Sequence, residues 1–395
     1  MFEHATDWIE LVVRWVHIVT GVTWIGTSFY FNWLNNHVRP GDDLEEGVAG
    51  DLWSVHGGAF YRVVKYRVAP AKLPKILHWF KWEAYFTWIS GFCLLGLVYW
   101  LNASTFMIDN SVHPMAPWMA VLIGAGTLVG GWIVYHLLCK SPLGKQPLVF
   151  GILMFALIGG AAFGLTQVLG SRAAYIHIGA LIGTIMAANV FFVIIPNQKV
   201  MVDAMTKGEE PDAQLGIDGA QRSLHNNYFT LPVLFIMVSN HYPFTYGDEW
   251  NWALLIGISL AGALTRHWFN VRGKGEKNVW VLPVAAALML GLAFVTLPKT
   301  YADHPPVEFA EVRQVIETHC VRCHSATPAA DSGFTTPPQN VMFDTRDQIA
   351  AAANRINTQV VVTQVMPLGN LTGITQEERD LIGAWFYQGA KTDLE

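Results

Sequence analysis

Cys320, Cys323 and His324 stand together in the run Glu317-Thr318-His319-Cys320-Val321-Arg322-Cys323-His324. Two thiols one helical turn apart can both reach the vinyl groups of one porphyrin, and the histidine that follows is then held under the iron. C-x-x-C-H is accordingly the attachment signature of a c-type haem. A zinc site would need four protein ligands. The chain offers no second cysteine pair, because the remaining two of its four cysteines, Cys93 and Cys139, sit apart inside apolar runs, where a free cysteine behaves as a small hydrophobe. A thioredoxin-like pair would need a βαβ context, and none is visible. A haem built for electron transfer takes methionine as its sixth ligand, which raises its potential. Met366, in Val365-Met366-Pro367-Leu368-Gly369, is the expected ligand ahead of Met342. The expected iron ligands are thus His324 and Met366.

A second set of polar side chains lies inside apolar segments, where ionisable groups are costly and usually functional. His17 and His177 fall near the starts of their segments, and His136 and His267 near the ends of theirs. Two histidines at one depth on neighbouring helices can clamp a haem, so these pairs leave room for a b-type haem; the alternative is that each hydrogen-bonds within the bundle. The pattern His17-x-x-x-Gly21-x-x-Trp24-x-Gly26 is similar to the haem-binding first helix of some small membrane haem proteins. Further along, Arg222, Ser223, His225, Asn226, Asn227 and Thr230 cluster, and Arg266 and His267 end at the same level. Arginine presents a fork of donors to an anion, and asparagine amides suit a heterocycle with alternating donors and acceptors. Arg222, His225, Asn226, Arg266 and His267 are therefore the candidate catalytic residues. The competing reading makes Arg222 and Arg266 anchors at a lipid interface.

The elements that must position these groups are apolar. The chain has 395 residues, 52% hydrophobic and only 14% charged, with a mean hydropathy of +0.31, whereas soluble domains carry about 25% charged residues. A membrane span needs about 20 apolar residues. Eight candidates are expected, at about 11–33, 84–101, 117–139, 148–170, 174–196, 228–242, 250–270 and 279–297, the sixth interrupted by Pro232. Alternate loops carry the positive charge, such as Arg62, Lys65 and Arg67, or Arg272, Lys274 and Lys277; the loops on the other side carry only Arg172. Positive loops stay cytoplasmic, so both the N-terminus and the C-terminal domain are expected outside, which in a bacterium is the periplasm. The start, MFEHATDWIE, lacks the basic region of a cleaved signal peptide. Gly126/Gly130, Gly160/Gly164 and Gly179/Gly183 are spacings that let helices approach closely. A net charge of -5 and the lack of a basic stripe give no support for a nucleic-acid partner. The expected fold class is all-α: a polytopic bundle over 1–298, a linker over 299–307 marked by Pro305 and Pro306 (after Pro298), and a small class I cytochrome c domain over 308–395. Within that domain Thr375-x-x-Glu378 reads as a capping box opening a helix over about 376–390.

The chain resembles the bacterial integral-membrane urate oxidases (urate hydroxylases) with a fused cytochrome c domain. The resemblance is carried by Trp15-x-His17-x-x-x-Gly21-x-x-Trp24-Ile25-Gly26, Arg222-Ser223-x-His225-Asn226-Asn227-Tyr228-x-Thr230-Leu231-Pro232, Arg266-His267-Trp268, and the tail from Val341-Met342-Phe343-Asp344-Thr345 through Met366-Pro367-Leu368-Gly369-Asn370. It implies oxidation of urate to 5-hydroxyisourate in the inner membrane, with electrons passed to the haem c rather than to dioxygen, and onward to a downstream cytochrome or terminal oxidase. Two rival readings are an electron-transfer subunit fed by a quinol or partner dehydrogenase, and a haem-binding transporter or sensor. The implied reaction poses a geometric problem. A periplasmic haem c and a substrate site at the cytoplasmic end of the bundle would be separated by a hydrocarbon core about 30 Å thick. Either an intermediate redox centre lies between them, or the site opens near His17 and His177.

Overall fold

The computed structural model describes residues 2–41, 44–70, 72–248, 250–297, 301 and 303–392. The chain is mostly helical. Its first helix, α1 (Phe2–His37), is followed by a β-hairpin of β1 (Val48–His56) and β2 (Ala59–Tyr66). Next come α2 (Trp82–Leu94), which runs on into a π-helical turn at Leu95–Trp100, and the short α3 (Ala103–Phe106). The central rods are α4 (Pro117–Lys140), α5 (Pro147–Thr166), α6 (Ser171–Asn189) and α7 (Ile195–Thr206), with α6 and α7 joined through a π-helical turn at Val190–Ile194. The last rods are α8 (Ala213–Ser239), α9 (Asn251–Gly273) and α10 (Val281–Val295). A separate C-terminal unit holds α11 (Phe309–His319), α12 (Arg346–Ala351), α13 (Ala353–Ile356) and α14 (Gln376–Tyr387).

The hairpin corrects the all-α expectation. Val48–His56 pairs antiparallel with Ala59–Tyr66 around Gly57 and Gly58, both with positive φ. That is the backbone a tight two-residue hairpin turn requires, and glycine enters it without steric cost. Pro232 is a second correction. It lies inside α8 without ending it, and α8 begins well before the expected 228. Pro298 and part of the expected linker, residues 299, 300 and 302, lie outside the described residues.

Helix α6 is the hub. It packs against α2, α4, α5 and α8, and Ala174, Tyr175, Ile178, Ile182 and Ile185 on it are almost completely buried. A helix apolar on every side is stable only when wrapped by others. The outer helices show the reverse pattern. Trp15, Val22, Leu122, Ile152, Leu290 and Phe294 are large apolar side chains left exposed on α1, α4, α5 and α10. Among the described residues, four helices are long and apolar enough to cross a membrane: Ala5–His37, Pro117–Lys140, Pro147–Thr166 and the continuous Ser171–Thr206; Val281–Val295 is apolar but shorter.

In the C-terminal unit, α11 crosses α14. Phe309, Val312 and Ile316 meet Ile382 and Trp385 in its core, and the Phe309 and Trp385 rings lie 6.1 Å apart. The capping box at Thr375 and Glu378 is formed. Val307, just before the expected boundary, is buried in this core. The unit rests on one end of the bundle. Gly369, in the turn after Met366, approaches the Thr105 and Ile108 carbonyls, and Gly247 approaches the Thr363 carbonyl so closely that a Cβ would lie 1.9 Å from its oxygen.

Candidate functional site

Three groupings of side chains can do chemistry. The first is at the end of α11. The Cys320 N–H donates to the Ile316 carbonyl at 2.8 Å and closes the helix; the N–H groups of Cys323 and His324 then donate back to the Cys320 carbonyl at 3.1 and 2.9 Å. One turn therefore carries both thiols and the histidine. His324 Nδ1 lies 3.0 Å from the Val341 carbonyl. A carbonyl only accepts, so Nδ1 carries the proton and Nε2 keeps a lone pair for a metal. Burial holds the His324 imidazole below its ordinary pKa, which keeps it in the ligating form. Burial also pushes the Cys320 thiol up to about 12 and raises Cys323. Met366 packs against the core that contains Cys320. Its N–H donates to the Gln359 carbonyl at 3.0 Å, and its carbonyl accepts from Arg379 at 2.8 Å. These residues fit a c-type haem: a thiol pair, an oriented histidine and a methionine on a pinned loop. His319 is a structural tie, with Nδ1 2.9 Å from the Thr372 hydroxyl and Nε2 3.2 Å from Glu378.

The second grouping runs from α8 to α6 and α4. Asn226 Nδ2 lies 3.0 Å from the Met186 carbonyl, which fixes the amide: Nδ2 donates there, and Oδ1 accepts from Asn189 Nδ2 at 2.8 Å. Asn189 Nδ2 also donates to the Tyr135 hydroxyl at 2.9 Å. The Tyr135 hydroxyl also pairs with His225 Nδ1, 2.9 Å away, and the His225 ring stacks on Phe150 at 4.6 Å. Arg222 sits over the Tyr135 ring at 5.1 Å and makes one long bond, 3.4 Å, to Asn189 Oδ1. Asn189 was not anticipated, although an asparagine within the apolar run 174–196 is a visible signal.

The third grouping runs from α8 to α9 and α1. Arg266 Nε donates to Asn227 Oδ1 at 2.8 Å, and Asn270 Nδ2 donates to the same oxygen at 2.9 Å. Because arginine is only a donor, it fixes the orientation of both amides. Asn227 Nδ2 is left as a buried donor and Asn270 Oδ1 as a buried acceptor, neither with a partner among the described residues. The Arg266 guanidinium rests on the Phe29 ring at 4.1 Å. Arg222 is 3% exposed and Arg266 7%. Among the described residues no carboxylate lies within ion-pair distance of either, and buried charges are normally paired.

The expected catalytic set is thus divided. Arg222, His225 and Asn226 share one network, Arg266 belongs to another on the next face of α8, and His267 pairs instead with the Tyr228 hydroxyl at 2.7 Å. The expected histidine pairs are not brought to common partners. His177 Nδ1 donates to the Ala173 carbonyl at 2.8 Å, and its Nε2 accepts from Trp100 at 3.1 Å; both ring nitrogens are occupied. His17 faces α2, with Nδ1 2.9 Å from the Thr87 carbonyl. His136 lies against Trp132, with ring centroids 5.0 Å apart and the planes tilted, and its buried Nδ1 has no partner among the described residues. Among the described residues no three His, Cys, Asp or Glu side chains gather to hold a bare metal ion.

Residues 3–297 match the family model described as urate oxidase N-terminal. No curated protein and no solved structure matches the chain.

Proposed function

The chain belongs to the urate oxidase N-terminal family, and from that premise we propose that it oxidises urate to 5-hydroxyisourate within a membrane-embedded bundle, delivering the electrons to a c-type haem on its C-terminal unit. The observation that carries this reading is the unmatched polarity around α8. A buried guanidinium at Arg266, an unmet amide donor at Asn227 and an unmet acceptor at Asn270 lie side by side. A purine anion offers the complement: negative charge for the guanidinium, ring carbonyls for donors and ring N–H groups for acceptors.

The reaction converts urate and water into 5-hydroxyisourate, two protons and two electrons. Asn227, Asn270 and Arg266 bind and orient the anion. The His225 imidazole, paired through the Tyr135 hydroxyl with the Asn189–Asn226 chain on the adjacent face of α8, is the group that takes up a released proton. Oriented donors in a site that excludes water act without reorganising during the reaction. Cys320, Cys323, His324 and Met366 would hold the haem, which would supply a one-electron acceptor. Dioxygen is then not a reactant, and hydrogen peroxide need not form.

Membrane insertion is supported by the four long apolar helices and by the exposed apolar side chains around α1, α4, α5 and α10. In this reading eight rods cross, namely α1, α2, α4, α5, α6–α7, α8, α9 and α10. Helices α8 and α9 carry the polar groups that make them less apolar than the rest. Positive loops on the cytoplasmic side would put the N-terminus outside, and an even number of crossings would put the C-terminal unit on that same side, the periplasm of a bacterial inner membrane, where a soluble cytochrome or a terminal oxidase would accept the electrons.

The test is anaerobic addition of urate to the purified, detergent-solubilised protein. Reduction of the covalent haem without any partner is expected. Arg266→Ala should abolish it while leaving the haem attached, and Arg222→Ala should do the same. Normal reduction in both variants would exclude this site.

A further inference from the structure

An apolar cavity of about 390 Å³ lies among α1, α2, α6 and α8, and His17 is on its wall. Small-molecule sites are commonly a few hundred Å³, mostly apolar, with a few oriented polar groups. His17 is oriented. Its Nδ1 donates to the Thr87 carbonyl at 2.9 Å and lies 3.1 Å from the Ser90 hydroxyl. Since the carbonyl can only accept, the proton is on Nδ1 and the lone pair is on Nε2, for which no protein partner exists among the described residues. A backbone carbonyl fixing one nitrogen so that the other is free is how a metal-ligating histidine is held. Gly91 secures the ring: a Cβ there would fall 2.8 Å from His17 Cε1.

Gly21, Gly91 and Gly183 line the cavity from three helices, and a Cβ at Gly183 would enter open space. At the end nearer the C-terminal unit the wall includes Arg172. Its Nε donates to Asn240 at 3.0 Å, and among the described residues no carboxylate is within ion-pair distance of it. The charge is therefore available to a ligand's carboxylate. Met237 and His241, side chains able to ligate iron, line the same cavity.

We propose that this cavity binds a b-type haem, with His17 Nε2 as its axial ligand and Arg172 facing its propionates. His177 is not the partner ligand, because Trp100 and Ala173 occupy both of its nitrogens. The site's position gives it a role. Met186, whose carbonyl holds Asn226, is on one part of the wall, and Arg172 also lines the cavity of about 1040 Å³ that separates the bundle from the C-terminal unit. One electron at a time would pass from the urate site to this iron and on to the haem c. The relay role rests on the urate reading; the binding site does not.

The experiment is haem analysis of the purified full-length protein without urate. Acid–acetone extraction and pyridine haemochrome spectra should find one extractable b-type haem beside the covalent c-type haem. His17→Gly should lose the extractable haem and keep the covalent one, and added imidazole should restore the b-type spectrum. Gly183→Leu, which fills the cavity without disturbing His17, should also lose it. A wild-type protein that yields only covalent haem overturns the proposal, whether the solvent then extracts a quinone, a phospholipid or nothing. Retention of the b-type haem with unchanged spectrum in His17→Gly overturns it equally. Because no urate is present, failure of the urate reading would leave these outcomes unaffected.

Discussion

Arg266 concentrates the consequences of one residue's chemistry. Its charge, its fork of donors and its stacking on Phe29 are separable. Arg266→Lys keeps the charge but loses the planar fork that fixes the Asn227 and Asn270 amides. A hydrogen bond to a charged group is worth about 1.5–3 kcal/mol, so kcat/KM for urate should fall by about 10–100-fold, read in a urate titration of haem reduction. Met366 makes a distinct prediction. Met366→Ala removes the sixth ligand expected from its loop, which should lower the haem potential and change the ligation spectrum. An unchanged spectrum removes Met366 from the iron. At this scale much was legible. Cys320, Cys323 and His324 form a contiguous motif, and their chemistry depends on spacing along the chain. Asn189 and Tyr135 were not assigned roles, because a hydrogen-bond network between three helices leaves no pattern within any one of them.

Elements fail or hold through caps and packing. Helix α14 is tied to α11 through Trp385, which is 1% exposed. Trp385→Ala should destabilise the C-terminal unit by about 3–5 kcal/mol, seen as a lower denaturant midpoint for loss of the haem spectrum. Glu378 closes the capping box and reaches His319. Its burial alone would raise the carboxyl pKa, but the Thr375 N–H and His319 outweigh that and depress it. The folded state therefore prefers the carboxylate. The contribution is present above the unfolded carboxyl pKa and is lost as pH falls through the depressed folded value. Glu378→Gln should accordingly show a shallower loss of stability on acidification than the parent. Among the elements, the capping box and the amphipathic α11 were readable because their signals are local. The β1–β2 hairpin is marked by Gly57-Gly58 between alternating residues, but the segment's many charges give it the composition of a loop. Pro232 predicts an interruption, yet α8 continues through it because tertiary packing outweighs local propensity.

For the whole molecule, the docking of the C-terminal unit on the bundle decides whether two chemistries form one enzyme. Gly247 and the Thr363 carbonyl allow no side chain between them. Gly247→Val should displace the unit, leaving haem attachment and the haem spectrum intact while urate-dependent reduction slows sharply; stopped-flow traces of the variant and the parent would separate the two effects. The sequence by itself determined the apolar segments, the alternation of charged loops and the thiol–histidine motif, since composition, period and spacing are properties of the chain. Only the tertiary structure decided which histidines have a free nitrogen, which amides are left unmet, and that the arginines fall into two networks on adjacent faces of α8. Those outcomes depend on which carbonyl or donor another helix brings within 3 Å, and hydrogen-bond direction is set by that partner, not by the residue's place in the sequence.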